Sequence, residues 1–152
     1  LAGSVSFAPL GAGDIEALAP RLRAADRAEI EATLGPCDVR EVLHRAAAAS
    51  AWVEVAFRGA DPFALFGVAP RAAGGGSPWF VGTDVASAVP LAMVRHGRRY
   101  VARMLAEFGH LANHVDARNA ASVRWLKRLG FEVFPAEPFG AAGLPFRPFR
   151  LG

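Results

Sequence analysis

Apolar residues recur along this chain in two rhythms, and the changes of rhythm mark its elements. Residues 4–10 alternate around Val5 and Phe7 and stop at Pro9 and Gly11, which predicts a short first strand. Asp14 opens a helical run in which Ile15, Leu18, Leu22 and Ala25 fall three and four apart and share a face. Pro20 interrupts it, as a kink or as the first turn of a second segment. The apolar face continues over 21–34 through Ile30 and Leu34, and Gly35-Pro36 ends it. Asp38 fits as the N-cap of a further helix carrying Val39, Val42, Leu43 and Ala46 on one side, with an alanine run up to Ser50.

The rhythm then shortens. Residues 51–58 alternate, 59–62 form a turn and 63–68 make a second strand, together a hairpin. Residues 70–78 read as a flexible loop around Gly74-Gly75-Gly76, and 79–82, apolar on both faces, as a central strand. After Thr83-Asp84 a helical region covers 85–108, broken or kinked at Pro90 and closed by Gly109. Residues 111–115 predict a strand, 120–129 a compact helix with Val123, Leu126 and Leu129 on one face, and 131–134 a strand. A Pro/Gly-rich bend over 135–145 leads to a terminal strand at 146–151. No repeat appears and no linker separates two cores, so residues 1–152 are expected to form a single domain.

Composition excludes several classes. With 53% hydrophobic and 20% charged residues the chain can bury a core, which rules out a disordered protein. One cysteine, Cys37, excludes an internal disulfide framework or a Cys-rich zinc module and suits a reducing compartment. Near the head of a helix its thiol pKa could fall, but it reads as structural or incidental before it reads as a nucleophile. No run approaches the ~18 apolar residues of a membrane span. The opening Leu-Ala-Gly-Ser has no basic region ahead of a long apolar one, so no signal peptide is expected and the location is read as cytoplasmic. The net charge of +3 comes without a dense basic tract. A phosphate-bearing ligand or plain solubility explains it, and a nucleic-acid-binding module is the least favoured reading. There is no Gly-x-Ser-x-Gly elbow, Walker loop or His-Glu-x-x-His, and Gly74-Gly75-Gly76 precedes a strand rather than a helix.

The stretch 116–131, Asp-Ala-Arg-Asn-Ala-Ala-Ser-Val-Arg-Trp-Leu-Lys-Arg-Leu-Gly-Phe, resembles the late motif of the Gcn5-related N-acetyltransferase (GNAT) superfamily. The match rests on Asn119, Ser122, Leu126, Leu129, Gly130 and Phe131, and the order of elements agrees over nearly the whole chain. A closer likeness, from about Leu18 to Phe134, is to small phage-encoded GNAT-like proteins of the internal virion type. It is carried by residues 25–30, 62–68, 78–84 and 114–131. The resemblance implies an α+β fold in three layers, αβα, with a mixed, mostly antiparallel twisted sheet of about six or seven strands and helices on both faces.

It also implies acetyl-CoA as cosubstrate and a small-molecule or protein amine as acceptor, with phage structural proteins as partners if the phage likeness holds. In the superfamily two neighbouring parallel strands splay and admit the pantetheine arm, which pairs with main chain like an added strand. Here these are the strands at 79–82 and 111–115, so main-chain groups of Phe80, Val81, Gly82 and Thr83 are expected to face the cofactor, one of them polarising the thioester carbonyl. The family's glycine-rich pyrophosphate loop is reduced to Arg95-His96-Gly97-Arg98-Arg99, within the helical stretch, where the arginines neutralise phosphates by charge or Arg95, Arg98 and Arg99 simply form a solvated face. Asn119 binds pantetheine, caps the following helix, or does both, and Ser122 reaches the cofactor or merely occupies the first turn. For the base, Asp84 stands just past the central strand and Glu29 in the early helices, with helix capping and solvation as their alternatives. His114 and Asp116 share a face and read as a satisfied pair rather than as a metal site. The usual late-helix Tyr is replaced by Trp125, and the single Tyr, Tyr100, lies on the earlier helix. Two functions stay open: acetyl transfer by direct attack of the amine, or a phage-type virion or assembly protein with weak or no catalysis.

Overall fold

A computed structural model describes residues 4–152; the expectation about a leader at residues 1–3 lies outside the described residues. The strands are β1 (Val5–Pro9), β2 (Trp52–Arg58), β3 (Asp61–Pro70), β4 (Gly76–Gly82), β5 (Leu111–Asp116), β6 (Glu132–Val133), β7 (Glu137–Phe139) and β8 (Leu144–Leu151). The helices are α1 (Asp14–Leu18), α2 (Ala24–Leu34), α3 (Val39–Ala49), α4 (Asp84–Ala88), α5 (Pro90–Phe108) and α6 (Ala120–Arg128). The eight strands form one sheet in the order β1-β2-β3-β4-β5-β8-β6, with β7 paired to β8. Every pair is antiparallel except β4 with β5, so the mixed α+β sheet expected from the sequence is present.

Alternation places the two faces of the sheet against different helices. Val53, Val55, Leu65 and Val81 pack with Ile15, Leu18 and Leu43 from α1 and α3. On the other face Leu111, Val115 and Phe149 meet Val101 and Met104 of α5 and Val123 and Leu126 of α6. Among the described residues no helix is long and apolar enough to cross a membrane.

Several boundaries differ from the sequence reading. The first helical run is cut twice. After α1 a single 3-10 turn spans Ala19–Arg21 with Pro20 inside it, and Leu22 and Arg23 are extended before α2 begins. The hairpin turn is only Gly59-Ala60; β3 begins at Asp61, and a bulge between Ala56 and Phe57 accommodates Pro62 in the strand. β4 starts three residues earlier than expected, because only 71–75 are needed to turn the chain, with Gly74 and Gly75 at positive φ. The bend at 135–145 hides β7, whose three residues pair with the start of β8.

Gly67 of β3 lies where a Cβ would come within 2.5 Å of the Trp52 carbonyl oxygen on β2. Since that obstacle is backbone, it cannot rotate away. Gly67→Ala is expected to cost about 2–3 kcal/mol and to lower the Tm by roughly 5–10 °C, read by calorimetry.

Candidate active site

The parallel neighbours β4 and β5 share a single rung, Gly76 with Leu111. Beyond it the Asn113 side chain donates to the Pro78 carbonyl at 2.8 Å, and then the strands part. The resulting gap opens into a cavity of about 280 Å³ whose lining runs through the sheet. It touches Glu29 of α2 on one side and Gly97 of α5, Ser122 and Trp125 of α6 on the other, with Phe80, Val81, Asn113 and His114 at the gap itself.

Main-chain direction divides the four residues proposed from sequence on β4. The Thr83 N–H donates to Phe63 of β3, and by alternation the main chain of Val81, opposite Leu65, faces β3 as well. Gly82 points the other way, but its N–H donates to Asp26 Oδ2 at 2.9 Å and its carbonyl accepts from the Arg23 N–H at 2.8 Å. That leaves Phe80 as the residue whose N–H and C=O are directed into the gap beyond the last β4–β5 rung. Its ring meets Trp125 edge-on, with centroids 4.8 Å apart.

A carboxylate network closes the far end of the gap. Asp26, 4% exposed, receives both Arg23 Nε and Nη2 at 3.0 Å, the Gly82 N–H and the Asn119 amide at 3.4 Å. Three residues away, Glu29 Oε1 accepts the Asp116 N–H at 2.9 Å. Burial, followed by the charges of Asp26 and Asp116, outweighs that hydrogen bond and another from the Asn119 side chain and pushes the Glu29 carboxyl up to about 7. Asp116 itself is buried, but the Arg118 guanidinium and N–H more than offset the desolvation and hold it below the ordinary carboxylate value.

Other residues singled out from sequence fall in distinct places. Thr83 is the N-cap of α4, accepting the Val85 N–H at 3.3 Å, and Asp84 is the exposed first residue of that helix, outside the cavity lining. Asn119 caps α6 by accepting the Ser122 N–H at 3.4 Å while donating to Asp26, so its amide is engaged within the chain. Arg95, Gly97 and Arg98 lie inside α5, where main-chain N–H groups are committed to the helix. Arg95 and Arg98 are exposed, and Arg98 also donates to the Arg128 carbonyl at the end of α6. A Cβ at Gly97 would lie 2.8 Å from Leu129, so glycine there lets α5 and α6 approach. His114 and Asp116 do not pair with each other: His114 lies 3.5 Å from Glu137 and stacks on Phe139, and Asp116 binds Arg118. Among the described residues no cluster of metal-ligating side chains occurs. Trp125 Nε1 donates to the Met93 carbonyl and Tyr100 donates to Glu54 Oε1 at 2.9 Å. Burial, then the Glu54 hydrogen bond, raises Tyr100 to about 12.

The sequence assigns Asp26 no role at the site. Its signal was the Arg23-x-x-Asp26 spacing in a first helical turn, but its partners Gly82 and Asn119 lie 56 and 93 residues away.

No family model matches the sequence, and no curated protein matches it. Solved structures do match in fold. An aminoglycoside N(6')-acetyltransferase from Legionella pneumophila aligns with a TM-score of 0.73 at 12% identity, over 97% of this chain and 91% of its own. A spermidine N-acetyltransferase from Vibrio cholerae, solved with CoA and spermine, aligns with a TM-score of 0.69 at 12% identity, over 97% and 94%. A GNAT-family acetyltransferase from Streptococcus pneumoniae gives 0.62 at 13% identity, over 97% and 99%. None of these three is a phage virion protein, so the phage likeness draws no support from them. The chain has the GNAT acetyltransferase fold over nearly its full length.

Proposed function

We propose that the protein is an acetyl-CoA-dependent N-acetyltransferase. The observation that supports it best is the early parting of β4 and β5, with the Phe80 main chain facing the gap and a carboxyl of pKa about 7 beside it. The gap fits the pantetheine arm, because Phe80 offers a strand-edge C=O for it to pair with. When bound, acetyl-CoA supplies an acyl carbon that the amine nitrogen attacks, breaking the C–S bond and releasing the thiolate. In this reading the Phe80 N–H donates to the carbonyl oxygen as charge gathers there. Glu29 accepts the proton that the acceptor ammonium must lose, and its pKa near neutrality suits that task. Arg95 and Arg98 offer charge to the phosphates from the exposed side of α5.

A second reading keeps the scaffold and discards most of the chemistry. It is favoured by the commitment of Tyr100 to Glu54, Trp125 to Met93 and Asn119 to Asp26, which leaves no obvious acid for the thiolate.

Calorimetric and thermal-shift titration with acetyl-CoA tests the choice. A site of micromolar Kd stabilises by about 2.7 kcal/mol at a hundredfold excess, a Tm rise of roughly 5–10 °C. Arg98→Glu is expected to reduce that shift. No heat and no shift would overturn the transferase.

A further inference from the structure

On the α2–α3 side of the sheet the cavity continues past Glu29 as a groove between the two helices. Its walls there are Ile30 and Leu34 of α2, Val42 and Ala46 of α3, and Trp79 of β4. Leu34 is 52% exposed, one of two large apolar side chains so open among the described residues. Trp79 presents carbon to the groove, since its Nε1 is spent on Ser50 Oγ at 2.8 Å. The titratable lining residues on this side are Asp26, Glu29 and His114.

Their capacity for positive charge can be counted. A carboxylate has about four acceptor positions. Those of Asp26 are filled by two Arg23 nitrogens, the Gly82 N–H and the Asn119 amide. His114 lies against Glu137 and stacks on Phe139. Glu29 accepts the Asp116 N–H and has the Asn119 side chain as a second hydrogen-bond partner, so two of its acceptor positions are taken and its charge meets no cation. The groove therefore offers one anionic partner at its inner end and apolar walls elsewhere. An acceptor with a second ammonium on the same chain would have to set it against Ile30, Val42 or Trp79, at the cost of desolvation without a partner.

We infer that the acceptor is a monoamine on an apolar body, aliphatic or aromatic, with its one ammonium at Glu29 and its body between α2 and α3. The inference rests on the transferase reading for the reaction but not for the binding.

The full-length protein is assayed for CoA thiol release with phenethylamine, isoamylamine, spermidine and kanamycin at matched concentrations. Phenethylamine binding is measured calorimetrically in parallel, with and without CoA. The monoamines are expected to exceed the polycations at least roughly tenfold in kcat/KM, the scale of one unpaired buried charge. Ala46→Glu, on the half-buried side of α3, is expected to shift the preference toward spermidine while leaving the acetyl-CoA thermal shift unchanged. Spermidine turnover equal to or above that of phenethylamine in the unaltered protein, or absence of phenethylamine binding, overturns the proposal whatever the variant does. Phenethylamine binding with no thiol release from any amine upholds the groove and sinks the transferase.

Discussion

Glu29→Gln is expected to lower kcat/KM by about 10²–10⁴ at pH 8 and to remove the limb of the pH profile centred near 7. The carboxyl of Glu29 is held at about 7, so in the parent protein the rate climbs as pH passes through that value and the base loses its proton. Stability should move in the opposite sense. The folded pKa lies above the ordinary 4.5, so the folded chain binds that proton more tightly than the unfolded chain does. Stability is therefore greatest below about 4.5, declines as pH rises toward 7, and stays reduced above it. The gap between the ordinary value and about 7 corresponds to roughly 3–4 kcal/mol at ~1.4 kcal/mol per unit. Glutamine keeps an oxygen to accept the Asp116 N–H and carries no charge. At pH 8 the variant should thus melt higher than the parent while turning over far more slowly. A lower Tm at pH 8, or an unchanged pH profile, would contradict the assignment.

Asp26→Ala should have the largest effect on stability, about 3–5 kcal/mol with a Tm loss of roughly 6–20 °C. The substitution strands the Arg23 guanidinium, 14% exposed, and the buried Gly82 N–H, and it frees the Asn119 amide. Asp26→Asn should recover part of the loss, since its oxygen can still accept the Gly82 N–H, but it cannot receive both Arg23 nitrogens. A Tm within 2 °C of the parent for the alanine variant, on a scale of roughly 2–4 °C per kcal/mol, would show that the network contributes little.

The difference between these two acids shows what the sequence could disclose. Elements whose signal is local were legible: α3 with its Asp38 cap, which accepts the Arg40 N–H at 3.0 Å, and α6 with Val123, Leu126 and Leu129 recurring every third residue. The break before α5 followed from Pro90 alone. β7 was hidden because Glu137-Pro138-Phe139 carries a proline and acquires strand character only from β8. At the site, Glu29 was named but could not be told from a solvated acid, because the burial that perturbs it, and after it the charge of Asp116, 87 residues on, exist only in the folded chain. Asp84, adjacent in sequence to the central strand, is turned out to solvent once Thr83 takes the capping position. The main-chain division on β4 depends on which rung pairs with β3, and no residue type in 80–83 encodes that.

A sheet joined across its middle by one rung is mechanically two sheets. β1–β4 form one leaf and β5–β8 the other. Besides the packing of α5 and α6 across both leaves and the Asn113–Pro78 hydrogen bond, a clasp of carboxylates from α2 ties their free ends, from Gly82 on one leaf to Asp116 on the other. Such a molecule behaves like a book bound at one corner of its spine and tied at the opposite edge. Whatever occupies the opening becomes part of the binding, so occupancy and stiffness should rise together.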